Sequence, residues 1–297
     1  MDLHPDQLQA LLTVSDLGTF EAAARHLSIT PSAVSQRMKA LESAVGRVLL
    51  TRTKPVTITE SGRVVLRLAR QLALLHADAA RALDGDAERA LSMPIAINAD
   101  SLATWALEPL AELATTSGLV FDIYREDQAH STDLLRAGTV MAAVTSEPVA
   151  VQGCSVTPIG RMRYRPMASR SFVERWFPSG VTASALATAP VVLFDRKDTL
   201  QHRYLERVAG GTANPPTHYT THYIPTSVDF ARAIRLGFGW GMLPDAQSSD
   251  AQSGDTGLVV IDHDSPVYVP LFWQQWKLES PSLAAVAVAI ARAAPRD

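Results

Sequence analysis

The stretch TFEAAARHLSITPSAVSQRMKALESAVGRVLLTRT at 19–53 constrains the fold most, because its spacing predicts two short helices, a tight turn and a basic hairpin in succession. Thr19 predicts the cap of a helix whose buried side is Phe20, Ala23, Ala24 and Leu27, and Thr30-Pro31 predicts the N-cap and first position of a second. Ser28 and Ile29 remain as the turn. In the second helix Val34, Met38, Leu41 and Val45 fall four, three and four apart, one stripe facing a core. Ser32, Ser35, Gln36 and Lys39 then point outward. Hydroxyl, amide and ammonium groups on an exposed helix face suit a DNA major groove, where Gln pairs with adenine, Lys with guanine, and Ser with bases or phosphates.

Charge supports that reading over an ordinary helical hairpin with a solvated face. Between Arg25 and Lys54 the cations are Arg25, Arg37, Lys39, Arg47, Arg52 and Lys54, against Glu42 alone. The first 24 residues hold Asp2, Asp6, Asp16 and Glu21 with no Lys or Arg. The positive charge is thus a local stripe, as phosphate contact requires, and the whole-chain net charge of -3 does not oppose it. Val48 to Ile58 reads as a hairpin with a Lys54-Pro55 turn, a wing whose Arg52 and Lys54 would hold phosphate or an adjacent minor groove, or simply be solvated turn residues.

The run FEAAARHLSITPSAVSQRMKALESAVGRVLLTRT followed by TITESG resembles the winged helix-turn-helix of LysR-type transcriptional regulators. SAVSQRMKALE, INADSLATW and GFGWGMLP are similar to the ArgP/LysG subgroup, and the resemblance runs along essentially the whole chain. It implies a homo-oligomeric bacterial regulator, dimer or tetramer, that binds double-stranded operator DNA and acts indirectly on RNA polymerase. For this subgroup it implies lysine or arginine as effector, an amino-acid export gene as target and no cofactor, with activation or repression left open by the sequence. An effector-independent architectural protein, such as a replication-initiation inhibitor, is the alternative.

Thr59 predicts the cap of a long helix, with Glu60 placed well against its dipole. Val65, Leu68, Leu72, Leu75, Ala79 and Ala82 recur at three and four, a heptad seam that one projecting helix cannot bury on itself. A second chain is the expected partner; packing on its own domain is the alternative. The helix fades at Asp84-Gly85-Asp86.

From residue 94 strands and helices alternate, which predicts a parallel sheet covered on both faces. One helix is expected from Ser101 to Thr116, strands at 94–98, 119–124, 140–145, 190–194, 218–224 and 239–243, and an exposed loop at 248–257. The fold class is α/β, with a winged domain at 1–60, a linker and dimerisation helix at 61–86, a hinge at 87–93 and an effector domain at 94–297. That domain has two lobes of periplasmic-binding-protein type, 94–164 with 266–297 and 165–265, expected to close on a ligand beyond the strand ends.

Asn98, Asp100, Ser101 and Thr104 follow the first strand, where free amide groups would hold a carboxylate; Ser101 is the first choice for a ligand contact, or else a plain helix cap. Thr145 and Glu147 end a later strand, Asp195 and Asp198 follow 190–194, and Thr226 and Ser227 open a helix. The cationic end of a basic amino acid would meet Glu147, Asp195, Asp198 or Asp127. Trp105 could wall the pocket or belong to the core.

No apolar run approaches the ~20 residues of a membrane span and no secretion signal opens the chain, so a cytoplasmic protein is expected. The single cysteine, Cys154, excludes an intrachain disulfide and a thiolate metal cluster. An enzyme is not expected, since HExxH, GxSxG and phosphate-loop patterns are all lacking and His218 and His222 sit on a strand-like run. GGTANPPTHYTTHY at 210–223 departs from the family pattern, which puts effector preference in doubt there.

Overall fold

The computed structural model describes residues 2–51, 53–84, 91–126, 131–208, 220–247 and 257–296. The chain forms two compact units: Met1–Ile97 with Leu110–Thr157 and Trp273–Ile290, and Asn98–Pro109 with Pro158–Phe272 and Ala291–Asp297.

The first unit opens with α1 (Pro5–Leu17), α2 (Phe20–His26) and α3 (Pro31–Val45). Thr19 and Thr30 each accept from the third amide of the helix they start, at 3.1 Å from Ala22 N and Ala33 N. Ser28, between α2 and α3, adopts a left-handed φ of 55° that closes the turn. Leu8, Leu11 and Val14 of α1 share one core with Ala23, Ala24, Val34, Met38 and Leu41, so α3 is carried on α1. The strands β1 (Leu50–Thr51) and β2 (Thr57–Ile58) pair antiparallel with Leu50 opposite Ile58. Thr59 caps α4 (Glu60–Asp84), a helix of 25 residues, by accepting from Gly62 N at 3.0 Å. A Cβ on Gly62 would lie 2.1 Å from the Leu49 carbonyl oxygen, so glycine alone permits this approach of α4 to the wing.

After α4 the chain enters β3 (Leu91–Asn98), α5 (Ala99–Thr104), α6 (Leu107–Ser117), β4 (Leu119–Glu126), α7 (Ser131–Ala137) and β5 (Ala142–Thr145). Parallel β3 and β5 set Ile95 opposite Ala142 and Ile97 opposite Val144, all buried, the continuous apolar run of a strand covered on both faces. The helix expected unbroken from Ser101 to Thr116 is two helices. Pro109 would force its ring against the carbonyl of Trp105, so the chain breaks at Trp105–Ala106 and Pro109 falls in the first turn of α6, where its missing N–H costs nothing.

The later elements are β6 (Cys154–Ser169), α8 (Arg170–Trp176), α9 (Ala183–Thr188), β7 (Val191–Leu193), α10 (Leu200–Val208), β8 (Thr221–Tyr223), α11 (Ser227–Arg235), β9 (Gly241–Pro244), β10 (Leu258–Val260), β11 (Val267–Trp276) and α12 (Pro281–Ala293). In the second unit β7 and β8 are parallel, whereas β9 and β10 both run antiparallel to β6. The strands of this unit are therefore not all parallel: β7 and β8 form a two-stranded sheet of their own, apart from β6, β9 and β10. Its core packs Met167, Val192, Leu243 and Leu258 against Phe230, Ala231 and Ile234 of α11. Gly239 and Gly241 allow close passage: a Cβ would meet the Pro190 oxygen at 2.7 Å and Ile234 Cδ1 at 2.8 Å respectively. Part of the expected 218–224 strand and most of the expected 248–257 loop lie outside the described residues.

Candidate nucleic-acid interface and effector site

Ser32, Gln36 and Lys39 are exposed on α3, with Ser35 half-buried beside them. The N-terminal ends of α2 and α3 and the wing enclose a 330 Å³ groove lined by Thr19, Pro31, Ser32, Ser35, Thr53 and Lys54, among others. Thr30 has its hydroxyl engaged in the cap, so what it presents outward is its backbone and methyl group. Two anions that could oppose the stripe, Asp6 and Glu42, are both engaged, Asp6 by one of the stripe's own cations. Arg37 pairs with Asp6 at 2.9 Å, and Glu42 Oε1 accepts from Leu49 N at 2.9 Å and Leu50 N at 3.4 Å. Lys54 is exposed on the turn; Arg52 lies outside the described residues.

A second polar cluster forms inside the second unit. Asn98 Oδ1 accepts from Ser101 N at 2.9 Å and caps α5, which brings Asp100 to its first turn. Asp100 takes two donors, Tyr164 Oη at 2.7 Å on Oδ2 and Ser227 Oγ at 2.6 Å on Oδ1. Ser227 in turn accepts from Gln247 Nε2 at 2.8 Å. Thr226 caps α11 by accepting from Asp229 N at 3.3 Å, which fixes Ser227 in that first turn. Burial pushes the Tyr164 phenol well above its ordinary pKa, and the neighbouring charge of Asp100 adds to this, so it stays a donor. Burial also raises Asp198, opposed by amides of Phe194 and Leu200 and reinforced by Asp100 and Asp195. The cluster is thus a partly buried anionic site that would gain from a guanidinium or ammonium group. Asn98 Nδ2 and Gln247 Oε1 are buried with no hydrogen-bond partner among the described residues, a spare donor and a spare acceptor.

The other expected site residues stand as follows. Ser101 is not the cap; it is fully buried, with its hydroxyl on Met162 Sδ at 3.6 Å. Thr104 donates to Asp100 O at 2.6 Å. Asp195 accepts from Lys197 N at 2.6 Å and Asp198 N at 3.0 Å, and Asp198 from Phe194 N and Leu200 N at 3.0 Å, so both carboxylates shape the turn into α10. Thr145 and Glu147 belong to the first unit, where Thr145 Oγ1 accepts from Glu147 N at 3.1 Å. Asp127 lies outside the described residues. Tyr164 and Gln247 have no place in the sequence expectation, because a residue's pairing across 64 or 20 positions leaves no local pattern.

Along α4 the apolar positions divide. Leu68, Leu72, Leu75 and Ala79 are exposed, but Val65 is 6% exposed and packs in the core of the winged domain. Val65 therefore leaves the seam, and Val64, 72% exposed, takes its place on that face. The expected register is off by one position here because α4 begins on the winged domain and buries its near side there.

Residues 5–63 match the bacterial regulatory helix-turn-helix protein of the lysR family, and residues 95–295 match the LysR substrate binding domain. The chain is 41% identical over 292 residues to the lysine export transcriptional regulatory protein LysG of Corynebacterium glutamicum, covering 98% of each. It is similar to the crystal structure of ArgP from Mycobacterium tuberculosis, with 43% identity, a TM-score of 0.83, and 99% and 97% of the two chains covered. It is also similar to full-length LysG from C. glutamicum with bound effector Arg, with 39% identity, a TM-score of 0.74, and 98% and 97% covered. With both family models matched in order and relatives aligned end to end, the chain belongs to the LysR family of DNA-binding transcriptional regulators.

Proposed function

We propose that this regulator senses a basic amino acid, arginine or lysine, and controls an amino-acid export gene. The observation that carries the reading is Asp100, oriented by Tyr164 and Ser227 and reinforced by Asp198, an anionic site suited to a cationic side chain. Similarity to a LysG with arginine bound, and to a regulator named for lysine export, supports it. Operator DNA meets Thr30, Pro31, Ser32, Ser35, Gln36 and Lys39 at the groove, with Lys54 and Arg52 on phosphate. The exposed face of α4, Val64 through Ala79, joins two chains so that two reading helices address two half-sites. The effector shifts the population between two assemblies that space these helices differently, which requires it to bind one assembly better. We assign the chain no catalytic step and, as a DNA-binding regulator, place it in the cytoplasm.

Thermal unfolding against the twenty amino acids at millimolar concentration tests this, since a ligand at ~100 times its dissociation constant adds about 2.7 kcal/mol to the native state. A rise of the midpoint with arginine or lysine alone is the expected result. No shift with any of them would remove the effector and leave an architectural DNA-binding role.

A further inference from the structure

Arg70, on α4, is 5% exposed and binds in two directions at once. Its Nε donates to the Gly138 carbonyl at 2.9 Å, and its Nη2 donates to Asp16 Oδ1 in an ion pair. Asp16 lies in the last turn of α1, whose Leu8, Leu11 and Val14 form the bed for Val34, Met38 and Leu41 of the reading helix. Gly138 closes α7 and leads into β5, whose far end carries Thr145. The Gly138 backbone sits directly on α4: with φ 73°, a Cβ there would lie 3.2 Å from Arg67 Cβ.

A guanidinium holds its donors in one rigid plane, so the Gly138 carbonyl and the Asp16 carboxylate cannot move independently while both bonds persist. The Arg70 guanidinium is buried, so water does not replace its lost bonds at full value, although the Asp16 side chain is 37% exposed. Arg67, one turn earlier, donates to Gln152 O at 3.2 Å and Gly153 O at 2.9 Å and stacks over Trp276 at 5.4 Å. Those contacts dock α4 on the α/β part of this unit without reaching α1. The two arginines therefore do different things.

We infer that Arg70 is a positioning residue that couples effector state to DNA affinity, transmitting displacement of the α7–β5 turn through Asp16 to α1 and hence to the reading helix. A mere staple would stabilise the fold but leave the coupling intact. Coupling is reciprocal: arginine changes DNA affinity by the same factor by which DNA changes arginine affinity.

The inference takes its probe, L-arginine, from the function proposed above. The second probe is a duplex selected from a random-sequence library by the wild-type protein. Titration calorimetry and anisotropy give the coupling factor for wild type, Arg70→Gln, Asp16→Asn and Arg67→Ala. Where wild type shows the usual factor of roughly 5–150, Arg70→Gln and Asp16→Asn bring it to about 1, while arginine affinity without DNA stays within about threefold. Arg67→Ala keeps the factor. Unchanged coupling in both Arg70→Gln and Asp16→Asn, its equal loss in Arg67→Ala, or loss of arginine binding itself in Arg70→Gln overturns the inference. If wild type binds no arginine, the effector reading fails, and scanning calorimetry decides on Arg70 alone. One transition that splits in two in Arg70→Gln supports the mechanical link from the α7–β5 turn to α1, and an unsplit transition in the variant overturns it.

Discussion

Tyr164 Oη donates to Asp100 Oδ2 at 2.7 Å from a strand 64 residues away, so the aspartate offers its remaining lone pairs in a fixed direction. Removing only that donor, Tyr164→Phe, should weaken arginine binding about tenfold or more, from the ~1.5–3 kcal/mol typical of a hydrogen bond to a charged group. Asp100→Asn should abolish arginine binding while leaving affinity for DNA in place. Titration calorimetry of both variants, with anisotropy on a labelled duplex, checks this.

At the proposed effector site, Asp198 should give arginine binding a pH dependence of definite sign. Its pKa lies above 3.8 in the folded protein, chiefly through burial. The folded state thus keeps this proton after the unfolded chain has lost it. Its contribution to stability is fullest below 3.8 and is lost as pH rises through the folded value. A guanidinium favours the ionised carboxylate, so arginine binding should expel a proton at pH values below the raised folded pKa and weaken as pH falls through it. Titrations in two buffers of different ionisation heat would show the proton release, and Asp198→Asn should remove it.

Gln36 and Lys54 should fail differently on DNA. Gln36→Ala should cost about 1–3 kcal/mol on the selected duplex and relax preference at one base position. Lys54→Ala should weaken all sequences alike and lower the salt slope by about 1. Binding across a mismatch library at several salt concentrations separates the two.

On α4, Val65→Ala and Leu72→Glu should give opposite phenotypes. Val65 is a core residue, so its truncation should cost about 1–3 kcal/mol of stability and leave the oligomer unchanged. Leu72 is 46% exposed on the face proposed to join two chains, so a charge there should dissociate that oligomer with little loss of intrinsic fold. Sedimentation and thermal melts read the pair.

What the sequence discloses follows the distance over which each feature is decided. The Thr30 cap and the Val34, Met38, Leu41 stripe are settled within one helix, and the structure places all of them as their spacing requires. Val65 against Val64 depends on which side of α4 meets the winged domain, which heptad spacing alone does not say. The 16-residue β6 escapes notice because Pro158, Gly160 and Pro166 punctuate it like a loop. Yet Arg161 and Arg163 alternate outward with buried Met162 and Tyr164, a period of two that marks a strand. The sequence reading sets Asp100 where amides would hold a ligand's carboxylate, and its part as the anionic group of the cluster rests on its meeting with Ser227 across 127 residues, which belongs to tertiary structure.

Glu42 fastens the first strand of the wing to the body of α3 through the amides of Leu49 and Leu50. A duplex therefore encounters helix and wing already aligned, and little conformational freedom is surrendered on docking. Discrimination between sites then falls to the fit of a stiff surface to groove width, and any change that slackens Glu42 should blur sequence preference before it weakens the hold on phosphate.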